Sequence, residues 1–279
     1  MARGPFDTGR RPVWCPGCGN YGILAALKLA LTELGLNPEN IVLVTGIGCH
    51  GRIAEYVTVN TFHTLHGRAL PLATGVKLAN PTLNVIVHSG DGDAYAIGVG
   101  HLVHAARRNV DLTLIVHNNM VFGLTAGQSS PTTPPGVKTK NAPRGQREPP
   151  LNSLFLALAC GATFIARGFS DDVDHLKELI KRGVRHKGFA LIDVLQPCST
   201  FYDARQTLRQ KIYKLEGHGT SDFRAAMELV MESERIPIGV IYEVEKPTFE
   251  ENFMHAMNPP PALRSLAKLD LGTLLSRFA

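Results

Sequence analysis

The sequence has no long hydrophobic run. No apolar stretch among its 279 residues reaches the roughly 20 residues that a membrane-spanning helix needs. The start of the chain, Met-Ala-Arg-Gly-Pro-Phe-Asp, also lacks the apolar core of a secretory signal peptide. We therefore expect a cytoplasmic protein with no membrane partner.

The sequence also lacks a basic block. Its net charge of +5 comes from 29 Lys and Arg against 24 Asp and Glu, and the basic residues are spread along the chain. Nucleic-acid-binding proteins usually gather such residues on one face, so we expect no nucleic-acid partner. An acidic protein partner is compatible with the mild positive charge. The length allows one large α/β domain or two modest ones.

Cysteine is scarce, with five residues, and the absence of a secretory signal argues against disulfides. Cys15 and Cys18 form a Cys-x-x-Cys turn before a helix predicted over residues 23–34. This spacing can direct both sulfurs at one metal. Cys160 ends an apolar helix predicted over residues 151–160, so we expect it in the core.

Two further cysteines follow predicted strands. Cys49 comes after the apolar run 41–44, and Cys198 comes after the run 189–195. If the strands are parallel, these cysteines meet at one edge of the sheet. Four cysteines can hold zinc, a [4Fe-4S] cluster or nothing, and their spacing alone does not separate these alternatives.

The segment that organises the chain is Gly-Asp-Gly at residues 90–92, just after the apolar run 83–87. A run rich in β-branched residues predicts a buried strand, and the glycines let the backbone approach a ligand closely. A helix predicted over residues 94–108 would direct its amino terminus at an anion. A carboxylate such as Asp91 can face a phosphate only across a divalent cation, and Mg²⁺ prefers oxygen ligands.

A second polar motif follows the next predicted strand, residues 112–116. Asn118 and Asn119 present amide oxygens at the carboxyl edge of the sheet, where open α/β folds bind ligands. Gly-Asp-Gly followed by a helix, a strand and Asn-Asn resembles the thiamin diphosphate motif. We therefore expect a diphosphate and a magnesium ion at this edge.

The ordered motifs together resemble the β subunit of the 2-oxoacid:ferredoxin oxidoreductases, the pyruvate and 2-oxoglutarate synthase family. The resemblance runs from about Trp14 to about Phe201. It includes Cys-Pro-Gly-Cys-Gly, Gly-Ile-Gly-Cys, His-Thr-Leu-His-Gly-Arg, Gly-Asp-Gly-Asp, Ala-Arg-Arg-Asn, Gly-Leu-Thr-x-Gly-Gln-x-Ser-Pro-Thr and Pro-Cys.

The resemblance implies three cofactors, namely thiamin diphosphate, Mg²⁺ and a [4Fe-4S] cluster. Mg²⁺ would be held by Asp91, Asn119 and the backbone carbonyl of Val121. The cluster would be held by Cys15, Cys18, Cys49 and Cys198.

The family pattern also implies which residues contact the thiamin cofactor. They are Ile47, Gly48, Cys49, His50, His66, Gly67, Arg68, Ala69, Gly92, Asp93, Gly123, Leu124, Thr125, Ala126, Gly127 and Gln128. Arg52 is the candidate catalytic residue, as a clamp for the 2-oxoacid carboxylate, while His63 is a weaker candidate. Enzymes of the 2-oxoglutarate type often carry lysine where this chain has Ala126, so the resemblance leaves the preferred 2-oxoacid open.

The activity implied by the resemblance is coenzyme A-dependent oxidative decarboxylation of 2-oxoacids such as pyruvate to acyl-CoA and CO₂. Electrons would pass through the cluster to ferredoxin. The glutamate that acts on the pyrimidine ring is not found here, since Glu33, Glu39 and Glu55 follow no apolar strand. We therefore expect a heterodimer with an α, or fused γα, subunit.

Two alternatives remain open from the sequence. One is a non-redox thiamin diphosphate decarboxylase or synthase with structural zinc, and the other is a non-catalytic iron–sulfur electron carrier. The first predicts colourless protein, and the second predicts protein that does not bind thiamin diphosphate.

The predicted fold is α/β, a doubly wound and mostly parallel sheet of about five strands, as in thiamin diphosphate-binding domains. We expect this domain, with the iron–sulfur ligands, in residues 1–201. Residues 202–279 form a C-terminal extension that contacts a subunit and covers the cluster, or else a solvated appendage. The proline-rich segment 129–150 predicts an irregular loop that is a lid, a partner contact or disordered.

Overall fold

The computed structural model describes residues 4–254 and 259–265 together with residues 272, 275 and 276. No helix in this part of the chain is long and apolar enough to cross a membrane. The helix expected near the carboxyl terminus falls largely outside the described residues.

Helices and strands alternate along most of the chain. The α-helices are α1 (Asn20–Glu33), α2 (Ala69–Ala79), α3 (Val99–Arg108), α4 (Ser153–Ala159), α5 (Val173–Arg185), α6 (Arg205–Lys211), α7 (Phe223–Met231) and α8 (Phe249–Met254). The strands are β1 (Ile41–Thr45), β2 (Asn60–His63), β3 (Asn84–Gly90), β4 (Leu112–Asn118), β5 (Val121–Phe122), β6 (Gln128–Ser129), β7 (Phe164–Phe169), β8 (Phe189–Leu195), β9 (Ile212–Lys214) and β10 (Ile236–Glu243). Short 3₁₀ turns occur at Pro38–Asn40, Cys49–Glu55 and Pro261–Leu263.

Eight strands form one sheet in the order β2-β1-β3-β4-β8-β7-β10-β9. All neighbours in it are parallel except β7 and β10. The predicted α/β fold with a mostly parallel sheet is confirmed. The expected five strands are β1, β3, β4, β8 and β7; the prediction missed β2, whose four residues are all exposed and form no apolar run.

The central strands are buried on both faces. Every residue of β1, β4 and β8 is buried, as expected of strands covered by helices on two sides. One core lies between the sheet and helices α2, α3, α4 and α7. The other lies between the sheet and helices α1 and α5. The sheet is therefore doubly wound.

The segment after the Gly-Asp-Gly turn is not the single helix that the sequence predicted. Asp93–Ile97 forms one turn of π-helix, and α3 begins only at Val99. The wide turn closes through the backbone N–H of Gly98, which donates to the carbonyl of Asp93 at 3.0 Å. Such turns occur frequently at functional sites.

The C-terminal extension contributes to the sheet. Strands β9 and β10 belong to it, and Ile238 and Ile241 of β10 are buried. The described part of the extension is therefore packed against the first 201 residues and is not a solvated appendage. Residues 130–150 form turns and bends, as predicted, and they fold back so that Asn141 accepts a hydrogen bond from the backbone of Ser129.

Candidate active site

A pocket of about 160 Å³ lies at the carboxyl edge of the sheet, beyond β1, β3, β4 and β8. Many of the predicted cofactor residues line it, together with all three predicted magnesium ligands. Its lining is Ile47, Gly48, Cys49, His50, His66, Gly90, Asp91, Gly92, Asp93, His117, Asn119, Val121, Phe122, Gly123, Leu124, Thr125 and Gln196. Six predicted cofactor residues do not line it, and these are Gly67, Arg68, Ala69, Ala126, Gly127 and Gln128.

Asp93 holds the walls of this pocket together. Its Oδ1 accepts hydrogen bonds from the backbone N–H of Gly67 at 2.7 Å and of Ile47 at 3.3 Å. The same oxygen lies 2.9 Å from Nδ1 of His66, and Oδ2 accepts from the hydroxyl of Ser89. The carboxylate is buried and bonded to two loops and to β3. It therefore holds these three segments together around the pocket.

The glycines of the pocket are required by close packing. A Cβ on Gly46 would collide with the Asp93 carboxylate, and a Cβ on Gly92 would collide with the ring of Phe122. A Cβ on Gly90 would lie 2.8 Å from Nδ1 of His50. The Gly-Asp-Gly turn therefore leaves space that side chains of neighbouring loops occupy.

Asp91 is a buried carboxylate in the pocket wall. Its Oδ2 accepts a hydrogen bond from the hydroxyl of Thr132 at 2.8 Å. Burial is the main cause that raises the pKa of Asp91 to about 6. The same hydroxyl lies 2.9 Å from Oδ1 of Asn118, whose amide donates to the carboxylate of Asp193. A cation beside Asp91 would offset the cost of this buried charge, so the site fits one.

Three buried histidines lie at the pocket: His50 and His117 line it, and His88 lies behind them. Nδ1 of His88 is 2.8 Å from Nε2 of His117, and Nδ1 of His117 is 2.7 Å from Oδ1 of Asn20. Burial lowers the pKa of His88 to about 3 and that of His50 to about 4. Nε2 of His50 makes no hydrogen bond with the described residues and lies 3.7 Å from Oδ2 of Asp93. Sequence reasoning missed His117, although a histidine that interrupts a fully buried strand is a signal for it.

A second pocket of about 350 Å³ contains the four predicted cluster ligands. Cys15, Cys18, Cys49 and Cys198 all line it. Burial raises the pKa of Cys18 to about 11, and the three neighbouring thiols add to this effect. Among the described residues, no three His, Cys, Asp or Glu side chains are grouped closely enough to hold a single metal ion.

Cys160 lies elsewhere. It is half-buried at the end of α4 and packs against one of the two cores. Its expected role as a core residue is supported by this position.

The two pockets share one wall. Five residues line both, and these are Cys49, Asn119, Gly123, Leu124 and Gln196. A Cβ on Gly123 would lie 3.4 Å from Sγ of Cys49, which is ordinary van der Waals contact. The candidate diphosphate edge and the cysteine pocket are therefore neighbours.

The candidate substrate residue Arg52 lines the cysteine pocket rather than the cofactor pocket. Its side chain is exposed, and it makes no ion pair with the described residues. Thr125 and Gln128, expected to contact the cofactor, bond to each other, with Thr125 Oγ1 donating to Gln128 Oε1 at 2.6 Å. Ala126 has a positive φ of 76° and lines the cysteine pocket.

Comparison with known proteins identifies the family. A family described as "Thiamine pyrophosphate enzyme, C-terminal TPP binding domain" matches residues 46–194. The C-terminal family of the pyruvate ferredoxin oxidoreductase beta subunit matches residues 198–258. A 2-oxoacid:ferredoxin oxidoreductase subunit beta from Saccharolobus solfataricus is 48% identical over 271 residues, which cover 89% of each chain. The chain belongs to the 2-oxoacid:ferredoxin oxidoreductase β-subunit family.

A further relative and a solved structure agree. The 2-oxoacid:ferredoxin oxidoreductase 1 subunit beta of Aeropyrum pernix is 45% identical over 278 residues, covering 92% of this chain and 87% of the relative. A 2-oxoglutarate:ferredoxin oxidoreductase from Magnetococcus marinus, solved with 2-oxoglutarate, coenzyme A and succinyl-CoA bound, superimposes with a TM-score of 0.90 at 36% identity. The match covers 98% of this chain and 94% of that one. The predicted family, enzyme class and thiamin diphosphate-binding domain are thereby confirmed.

Proposed function

We propose that this chain is the catalytic β subunit for coenzyme A-dependent oxidative decarboxylation of 2-oxoacids to acyl-CoA and CO₂. In this proposal electrons pass singly through a [4Fe-4S] cluster to ferredoxin. The observation that carries it is the shared wall of the two pockets, which supports a cluster directly beside the thiamin cofactor. When bound, thiamin diphosphate supplies a nucleophilic carbon and holds the electrons that remain after CO₂ leaves.

Mg²⁺ is proposed to bind Asp91, the side-chain amide of Asn119 and the backbone carbonyl of Val121. All three residues line one pocket, and all three atoms are oxygen donors of the kind that Mg²⁺ prefers. The burial of the Asp91 carboxylate supports the assignment, because a cation would neutralise a charge that the hydrogen bond from Thr132 offsets only in part.

Three loops are proposed to hold the thiamin cofactor around this cation. They comprise residues 47–50, 66–69 and 123–128, with Gly92 and Asp93 at the base of the pocket. The hydrogen bonds of Asp93 to Ile47 and Gly67 support this arrangement, because they fix the first two loops relative to the Gly-Asp-Gly turn. Arg52 is proposed to bind the carboxylate of the 2-oxoacid, and its exposed and unpaired guanidinium among the described residues supports that role.

The cluster is proposed to bind Cys15, Cys18, Cys49 and Cys198. Four thiolates suit both zinc and a [4Fe-4S] cluster, but only the cluster accepts single electrons. The volume of the cysteine pocket, about 350 Å³, gives room for more than one ion.

A partner subunit, α or fused γα, is proposed to complete the site in a cytoplasmic heterodimer. Among the described residues no glutamate lines the cofactor pocket, which supports an acid supplied to the pyrimidine ring by the partner. Exposed apolar side chains near the pocket, Ile97 and Leu124, support an interface there. We retain the division into a cofactor domain (residues 1–201) and an extension (residues 202–279), with the extension making further contacts with the partner and covering the cluster.

The test is anaerobic purification of the complex after co-expression with its partner. The proposal predicts a brown protein with bound thiamin diphosphate, iron and sulfide, and reduction of ferredoxin or viologen dye by pyruvate and coenzyme A. Serine at any of the four ligand cysteines should lower iron and sulfide content, whereas Cys160→Ser should not. A colourless zinc protein would favour a non-redox decarboxylase, and a brown protein without thiamin diphosphate would favour an electron carrier.

A further inference from the structure

Gln196 lies between the two pockets and is not one of the proposed ligands of the cation or the cluster. It follows β8 directly, its side chain is buried, and it lines both the cofactor pocket and the cysteine pocket. Its backbone N–H donates to the carbonyl of Asn118 at 2.9 Å, which fixes it beside the candidate cation site. Its side-chain Nε2 lies 3.4 Å from Sγ of Cys18.

The side chain is held in this position by the Cys-Pro-Gly-Cys-Gly turn. A Cβ on Gly19 would lie 2.7 Å from Cγ of Gln196, so only glycine leaves room for the glutamine there. The backbone N–H of Gly19 also donates to the carbonyl of Pro197 at 3.3 Å. The turn that carries Cys18 and the segment that carries Gln196 are therefore packed as one unit.

The side-chain amide of Gln196 contacts a sulfur through its nitrogen, while its oxygen has no hydrogen-bond partner among the described residues. Its Oε1 is buried and has no hydrogen-bond partner among the described residues, so the sulfur of Cys18 is the side chain's one polar contact there. A thiolate can only accept hydrogen bonds, which requires that the amide present its N–H to the sulfur.

We propose that Gln196 is a positioning residue whose N–H···S hydrogen bond to the Cys18 thiolate raises the reduction potential of the cluster. The inference rests on the proposed function, in which Cys18 is a cluster ligand. Reduction adds one negative charge to the cluster and its sulfurs, and a donor to sulfur stabilises the reduced state more than the oxidised state. The bond therefore favours electron transfer from the neighbouring cofactor pocket into the cluster.

The test is a redox titration of the cluster in the co-purified complex, followed by electron paramagnetic resonance. Gln196→Met keeps the length of the side chain and removes the donor. In Gln196→Met we expect the ratio of oxidised to reduced cluster at a given potential to rise about tenfold. For a one-electron couple, this is a shift of the reduction potential by about 59 mV to more negative values. Gln196→Glu should shift the potential in the same direction. Iron and sulfide content is measured on each sample.

The matched control is Ser170→Ala. Ser170 is also buried against Gly19, and its hydroxyl has no hydrogen-bond partner within the described part of the chain, Cys18 included. Its removal should leave the potential unchanged. An equal shift in Ser170→Ala would mean that packing of the turn, and not the hydrogen bond, sets the potential.

A second measurement needs no variant. In protein labelled with ¹⁵N at the glutamine side chain, pulsed resonance of the reduced cluster should show coupling to one such nitrogen. Absence of this coupling, or an unchanged potential in a fully loaded Gln196→Met complex, would overturn the inference and leave the proposed function intact. Absence of iron from the wild-type complex would instead refute the proposed function.

Discussion

Replacing Thr132 by valine tests how the buried polar residues behind the pocket support the cation site. The hydroxyl of Thr132 lies between Oδ2 of Asp91 at 2.8 Å and Oδ1 of Asn118 at 2.9 Å. It has one proton, which it donates to the carboxylate when Asp91 is ionised. Valine has nearly the same shape, so the substitution opens no cavity but removes the contacts of this hydroxyl with Asp91, Asn118 and Ser130.

The expected magnitude follows from the charge on Asp91. A hydrogen bond to a charged group contributes about 1.5–3 kcal/mol, and about 1.4 kcal/mol corresponds to a tenfold change in an equilibrium constant. Without the bond, the Asp91 carboxylate is held less firmly in the orientation that faces the pocket. We expect the Mg²⁺-dependent affinity for thiamin diphosphate to fall by about tenfold to a hundredfold.

The assay is calorimetric titration of thiamin diphosphate into the apo complex, with and without Mg²⁺. Thr113→Val is the matched control, because Thr113 is a buried threonine on β4 whose hydroxyl donates to the carbonyl of Gly183 at 3.1 Å, away from the pocket. It should lower the unfolding temperature without changing the affinity. Wild-type affinity in Thr132→Val, or equal losses in the two variants, would refute the reasoning.

Three further predictions concern the cation, the pH and the partner. Asp91→Ala should abolish Mg²⁺-dependent binding of thiamin diphosphate while the fold persists, since no carboxylate then holds the cation between protein and diphosphate; calorimetry that shows retained affinity would exclude the assignment. The unfolded chain protonates His88 below about pH 6.5, but burial holds the folded pKa at about 3, so stability falls as pH decreases through this window. In urea unfolding, the free energy of unfolding should therefore decrease between about pH 7 and pH 5. This decrease should be smaller by about 2 kcal/mol in His88→Gln than in the wild type, and equal decreases would contradict the burial argument. The chain by itself should neither release CO₂ from pyruvate or 2-oxobutyrate nor reduce viologen dye until the partner is added; turnover with no partner detectable by mass spectrometry would show that the missing acid is in this chain.

The sequence by itself determined the central strands and the position of the site. Residues 112–116 and 189–195 predicted β4 and β8 correctly, because strands buried on both faces are continuous apolar runs. Asp91 and Asn119 could be placed in one pocket without a structure, since side chains that follow parallel strands meet at the same edge. Cys49 and Cys198, which follow β1 and β8, could be brought to this edge by the same reasoning. Cys15 and Cys18 precede α1 and follow no strand, so their place in the set came from the resemblance to the family.

Edge elements were less accessible from the sequence. Strand β2 is exposed and strand β9 has three residues, so neither has a pattern of its own; both exist because a neighbouring strand offers hydrogen bonds. The predicted helix after residue 93 is divided into a π-turn and α3, and the turn ends where Ile97 and Gly98 pack closely against Gly67.

Only the tertiary structure decided which side chains contact one another inside the site. Asp93 bonds to Gly67, 26 residues away, and Thr132 bonds to Asp91, 41 residues away. Gln196 reaches Cys18 across 178 residues. A sequence pattern reports the face or edge on which a residue lies, but the strand order of the sheet and the packing of its loops decide its contacts, and neither is specified by neighbouring residues in the chain.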